Sequence, residues 1–193
     1  MAKRVIVLLA EGFEEVEAVT PVDYLRRAGI ELTLAAIGKD LGVKGARGIK
    51  ICADATLGSL LEEGKAKASA WDAVIVPGGL PGADMLAAST ETGSFLTEMG
   101  RAGKLICAIC AAPARVLAPL GLLEGKKFTC YPGEEAKVSG AGWKQDRVVE
   151  DGNIITSQGA GTAGEFACAI IEKLLGAGEG EKIAGKVLLE PLR

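Results

Sequence analysis

The sequence predicts an α/β fold in which a mostly parallel sheet is covered by helices on both faces. Three observations carry this. Short apolar runs of four to six residues suit strands buried on two sides. Longer stretches with helical spacing alternate with them, and glycine or proline stands at most of the changeovers.

Val5–Ala10 is a continuous apolar run and reads as the first buried strand. Glu14–Ala28 follows as a helix, with Val16, Val19, Val22, Leu25 and Ala28 on one stripe and Gly29 at its end. Pro21 sits awkwardly inside it and is expected to kink it. Glu31–Ile37 is a second strand. Gly38–Gly48, with four glycines, is a loop or small hairpin leading to a short strand at Ile49–Cys52. Leu57–Ala68 is a polar helix or loop, and Trp71–Val76 is a strand ending at Pro77-Gly78-Gly79. Helical segments at Ala83–Ala88 and Glu91–Ala102 precede the buried strand Lys104–Ile109. A helix over Ala112–Leu120 then has Pro113 in its first turn. Lys126–Tyr131 is a candidate strand. Val148–Asp151 and Asn153–Ser157 flank Gly152 as a hairpin. Thr162–Leu175 is an apolar helix closed by Gly176, and Glu179–Val187 a last helix. In a sheet of this kind, sites form at the carboxyl ends of the strands. Three features stand there: Glu11–Glu17, Pro77-Gly78-Gly79 and Cys110.

Composition narrows the function. The 193 residues are 49% hydrophobic, and the net charge of −3 comes with no basic stripe, which argues against nucleic acid. No apolar run approaches the ~18 residues of a membrane span. Val5–Ala10 is too short for a signal peptide and is followed at once by acidic residues, so the expected location is the cytoplasm. Five cysteines, an odd number, are expected as free thiols. Histidine is absent altogether, which removes Ser-His and Cys-His catalytic arrangements and disfavours a zinc site. No phosphate-binding loop is present, and the expectation is a protein without cofactor or metal.

Cys110 lies where a buried strand turns into a helix, with Ala108, Ala111 and Ala112 leaving the room a nucleophile elbow needs. A thiol beside helix-start N–H groups is expected to have a lowered pKa. The local pattern leaves open the alternative of a small core residue. Cys107 and Cys110 also spell C-x-x-C. Three residues of strand span about 10 Å, whereas a disulfide needs Cα atoms within about 7 Å, so Cys107 reads as core. Glu17 follows Phe13 at helical spacing and can face inward, where a buried carboxyl holds its proton and can donate to a thiolate. A solvated helix start remains the other reading. Gly78 and Gly79 offer unobstructed N–H groups, suited to an oxyanion or to an ordinary tight turn.

Ala10–Glu17 with Pro21-Val22-Asp23, Val74–Gly79, Ala108–Pro113, and Ser157–Thr162 with Glu165-Phe166-Ala167 together resemble the ThiJ/PfpI superfamily, and within it the DJ-one branch. The likeness runs in order through nearly the whole chain. Lys182–Leu192 is similar to that branch's terminal helix and tail. The resemblance implies one flavodoxin-like three-layer sandwich over residues 1–193 and a homodimer. It places an oxidation-prone nucleophile at Cys110, its protonated acidic partner at Glu17, and anion-binding amides at Gly78, Gly79 and Ala111. Arg47 matches a family arginine near the site. Two positions depart from the pattern. A common histidine is replaced by Tyr131, or by Cys130 if the register slips by one, and an arginine before the Gly-x-Gly-Thr turn is Gln158.

The functions implied are conversion of 2-oxoaldehydes to hydroxy acids with removal of glycated adducts, or a redox sensor or redox-regulated chaperone acting through Cys110. A PfpI-type peptidase is weaker, because the usual proton donor to the leaving amine is missing.

Overall fold

The computed structural model describes residues 2–189. Strand β1 is Arg4–Leu9, helix α1 Glu15–Arg27, and β2 Glu31–Ala36. A hairpin of β3 (Gly42–Lys44) and β4 (Lys50–Cys52) comes next, then β5 (Ala55–Thr56), α2 (Leu57–Glu62) and β6 (Ala73–Val76). Helices α3 (Gly82–Ala88) and α4 (Thr90–Arg101) lead to β7 (Leu105–Ile109). The remaining elements are β8 (Lys127–Phe128), β9 (Gly142–Trp143), β10 (Val148–Asp151), β11 (Ile154–Ser157), α5 (Ala163–Leu175) and α6 (Glu179–Lys186).

The main sheet has the order β10-β11-β7-β6-β1-β2-β5, and only the β10–β11 pair is antiparallel. Its inner strands β2-β1-β6-β7-β11 follow the flavodoxin-like chain order, with the switch point between β1 and β6. Successive residues of the central strands alternate between two cores. Ile6, Leu8, Val74 and Ile106 face the layer that includes α3 and α4, whereas Val5, Val7, Ile75 and Cys107 face the layer that includes α1 and α5. Strands buried on both sides read as unbroken apolar runs for this reason.

Pro21 lacks the N–H that would reach the Glu17 carbonyl, and α1 runs on through it. Three expectations are corrected. On the expected stripe of α1, Val22 and Leu25 are buried, but Val16 and Val19 are 47% and 46% exposed. Their places inside are taken by Glu17, Ala18 and Pro21. The segment after Cys110 is a π turn (Pro113–Leu117) followed by a 3-10 turn (Ala118–Leu120), not a regular α-helix. Pro119 cannot donate to the Arg115 carbonyl, and the Ala118 N–H reaches back to Pro113 instead. Finally, the candidate strand Lys126–Tyr131 shrinks to Lys127–Phe128, because Thr129 gives its N–H to the Thr156 hydroxyl. Part of the expected C-terminal helix is α6, while residues 190–192 of the expected tail lie outside the described residues. Among the described residues no helix is long and apolar enough to cross a membrane.

Candidate functional site

The ends of β1, β6 and β7 converge at the switch point. Cys110, directly after β7, has φ of 64°. For a residue with a side chain this left-handed conformation costs about 1–2 kcal/mol. Its neighbours hold it there: the Cys110 N–H donates to the Ser157 carbonyl at 2.9 Å, and its carbonyl accepts from the Tyr131 N–H at 2.8 Å. The turn is thus pinned from β11 on one side and from the segment after β8 on the other.

Glu17 is 1% exposed and reaches this turn from the first helical turn of α1. The Glu14 carboxylate caps the helix by accepting the Glu17 N–H at 2.8 Å. Glu17 Oε2 in turn accepts the Gly78 N–H at 2.9 Å. A Cβ on Gly78 would lie 2.7 Å from both Cys110 Cβ and Glu17 Oε2, so only glycine lets acid and thiol meet. Gly79, at φ 89°, packs so closely on the Gly12–Glu14 backbone that a Cβ would collide with the Glu14 nitrogen. The three amides expected to hold an anion therefore divide. Those of Gly79 and Ala111 act on the sulfur, while that of Gly78 is committed to the acid.

Burial pushes the Glu17 carboxyl up to about 7, and the charge of Glu14 adds to this against the donors around it. Burial also pushes the Cys110 thiol up to about 12, reinforced by the charge and hydrogen bond of Glu17 and opposed by the Ala111 and Gly79 amides. The lowered thiol pKa expected from the sequence is not what the structure gives. The turns that follow Cys110 supply little aligned dipole, and the nearest charge is a carboxylate. The two protons are coupled. While Glu17 is negative it opposes a thiolate. Once protonated it becomes a hydrogen-bond donor to sulfur, and the Gly79 and Ala111 amides then favour the thiolate against burial alone.

Cys110 opens into a cleft of about 400 Å³. Leu80 from the glycine turn, Ala46 and Arg47 from the β3–β4 hairpin, and Tyr131 and Glu134 form its sides. Tyr131, 54% exposed, stands on the cleft, whereas Cys130 is buried in the core. Gln158 donates to the Gln145 carbonyl at 2.8 Å. Cys107 is fully buried in β7.

Sequence reasoning missed two supports of this cleft. Glu15 stands among the acids that follow the first strand, but it is 4% exposed and accepts N–H groups of Arg47 at 2.7 Å and Ile49 at 3.2 Å. Burial works to raise its pKa, but these backbone donors and the Arg47 charge outweigh it and leave the carboxyl lowered. The second support is Arg115. It grips Glu134 with two hydrogen bonds of 2.8 and 2.9 Å and Asp84 with one of 2.7 Å. Lys137 adds to Glu134, and the Arg115 bonds above all hold that carboxyl down at about 2. Arg115 and Glu134 are 19 residues apart, and no local spacing signals their pairing.

A family model described as the DJ-1/PfpI family matches residues 3–173. The zebrafish Parkinson disease protein 7 homolog is 40% identical over 192 residues, covering 97% of this chain and 98% of its own length. A Caenorhabditis elegans protein named glutathione-independent glyoxalase DJR-1.2 is 36% identical over 173 residues, 89% of this chain and 88% of that protein. The chain spans only 41% and 43% of the lengths of the Arabidopsis DJ-1 homologs B and A, at 40% and 41% identity. A solved structure of oxidized Toxoplasma gondii DJ-1 superposes with a TM-score of 0.91 at 36% identity, covering 97% of this chain and 98% of that one.

Proposed function

Because the chain belongs to the DJ-1/PfpI family, we propose that Cys110 is its reactive centre and that the protein acts on small 2-oxoaldehydes, with glycated adducts as a related substrate. The observation that carries this is the pairing of half-buried Cys110 with buried Glu17 across Gly78, with the Gly79 and Ala111 amides on the sulfur side. In the reaction, the Cys110 thiolate attacks the aldehyde carbon to give a hemithioacetal. The Gly79 and Ala111 N–H groups bind the developing oxyanion. Protonated Glu17, with a pKa of about 7, gives its proton to that oxygen and is left as a carboxylate able to act as a base. It then carries the aldehyde hydrogen, as a proton, to the neighbouring carbonyl carbon, while the hemithioacetal hydroxyl proton passes to the neighbouring carbonyl oxygen, which leaves a thioester. Water hydrolyses the thioester to the 2-hydroxy acid and frees the thiol. With no histidine, proton transfer rests on Glu17 and water, and turnover is slow. A lactate assay with methylglyoxal on the wild type and Cys110→Ser tests this: lactate should form only with the wild type, and equal rates would overturn the reading.

A second reading, a redox sensor or redox-regulated chaperone, is favoured by the same missing histidine. It needs only a thiolate that a protonated Glu17 and two amides can hold as a sulfinate after two equivalents of hydroperoxide. A homodimer is supported by the family resemblance and by exposed apolar Val16, Val19 and Ile49 beside the Glu15-held hairpin. The same resemblance supports the cytoplasm as the site of action.

A further inference from the structure

We propose that Arg115 is a specificity-determining residue: through Glu134 it holds the Tyr131–Glu134 wall closed over Cys110, and so limits the thiol to small electrophiles. The inference rests on the reading of Cys110 as the reactive thiol.

The wall is short and has few other attachments. Tyr131 donates its N–H to the Cys110 carbonyl at 2.8 Å, and the Glu134 N–H closes the turn onto the Tyr131 carbonyl at 3.0 Å. Packing anchors only the wall's ends, at buried Cys130 and at Val138, which lies partly on the core; from Tyr131 to Lys137 no side chain is buried. The anchor is ionic instead. The Arg115 side chain is 22% exposed and that of Glu134 15%, so the paired charges are largely shielded from water and salt. The grip is bidentate, the strong geometry for guanidinium and carboxylate. Arg115 itself rises from the π turn that begins just after Cys110, and its third bond ties it to α3 through Asp84. The wall is therefore fastened to the same turn that carries the nucleophile.

The chemical consequence concerns size. A cleft of about 400 Å³ with one ionically fixed side admits a free 2-oxoaldehyde or a hydroperoxide with room to spare. An adduct carried on a peptide chain must enter with its backbone, which requires the wall to swing out. Reaction with bulky electrophiles then proceeds only from the open population, whereas small ones react from both. Removing a charge-assisted bidentate bond should raise that open population about tenfold or more.

The test compares two neutral thiol reagents, iodoacetamide and a maleimide bearing a bulky aryl group, with labelling at Cys110 read by peptide mass spectrometry. Site resolution is needed because Cys52 is exposed. The variants are Arg115→Leu and Glu134→Gln, which open the wall from either partner, and Asp84→Asn, which loosens only the tie to α3. In both clamp variants the bulky-to-small rate ratio should rise about tenfold over the wild type, with the iodoacetamide rate nearly unchanged and Asp84→Asn close to wild type. An unchanged ratio in folded Arg115→Leu and Glu134→Gln, with Cys110 still reacting with iodoacetamide, would overturn the clamp and leave the function standing. A wild-type Cys110 that reacts with neither reagent would overturn both readings.

Discussion

Replacing Glu17 with Gln isolates the coupling on which the site depends. Gln keeps an acceptor for the Gly78 N–H and a donor toward sulfur, but it can never carry the negative charge that opposes the thiolate. Below pH 7, where Glu17 in the wild type is protonated, the two proteins should be alkylated at Cys110 at nearly equal rates. Above it the wild type meets its own carboxylate, and its thiolate fraction stops rising. The variant's fraction keeps rising, so the gap should widen about tenfold per pH unit. The ceiling is the effect of a like charge at close range, about ten- to a thousandfold. Iodoacetamide rates from pH 5 to 10, resolved at Cys110, measure this directly. Parallel profiles would refute the coupling. A variant slower than wild type above pH 7 would mean that the carboxylate serves the thiol as a base, contrary to the electrostatics described above.

Two further outcomes follow from the same geometry. Folded Glu17 binds its proton more tightly than the unfolded chain, its pKa rising from 4.5 to about 7, so its favourable contribution is full below 4.5 and lost as pH rises through 7. Glu17→Gln should therefore stabilise the protein by up to about 3 kcal/mol at pH 8 and by little at pH 4, read as the pH dependence of Tm; a shift equal at both pH values would contradict the burial. Gly78→Ala puts a methyl 2.7 Å from Cys110 Cβ and Glu17 Oε2. It should cost about 1–3 kcal/mol in urea unfolding and break the pH coupling of Cys110, and a wild-type profile in this variant would show that the close approach is not needed.

Most of the fold was legible because two-sided burial leaves a strong trace. Val5–Leu9, Ala73–Val76 and Leu105–Ile109 are apolar at every position, and the helices between them carry their own caps and closing glycines. The misreadings share a cause. Val16 and Val19 were assigned inward on hydrophobicity, but α1 turns an acid and a proline toward the core, because Glu17 finds the Gly78 amide there. Residues of the site were legible where the backbone demands a special residue, as at Gly78, Gly79 and Cys110. The direction of the thiol pKa was not, since it depends first on how far the sulfur is buried and then on a carboxyl 93 positions away in sequence. The buried Glu15 and the Arg115–Glu134 pair were invisible for the same reason: in sequence, a charge that is buried looks like any other charge.

The central claim is that Cys110, and not a more exposed thiol, is the reactive sulfur. Peptide mass spectrometry after mild hydrogen peroxide tests it most directly. The expected result is a gain of about 32 Da, two oxygens, confined to Cys110, with exposed Cys52 unmodified and the gain abolished in Cys110→Ser. Oxidation of Cys52 or Cys168 with Cys110 untouched would contradict the account.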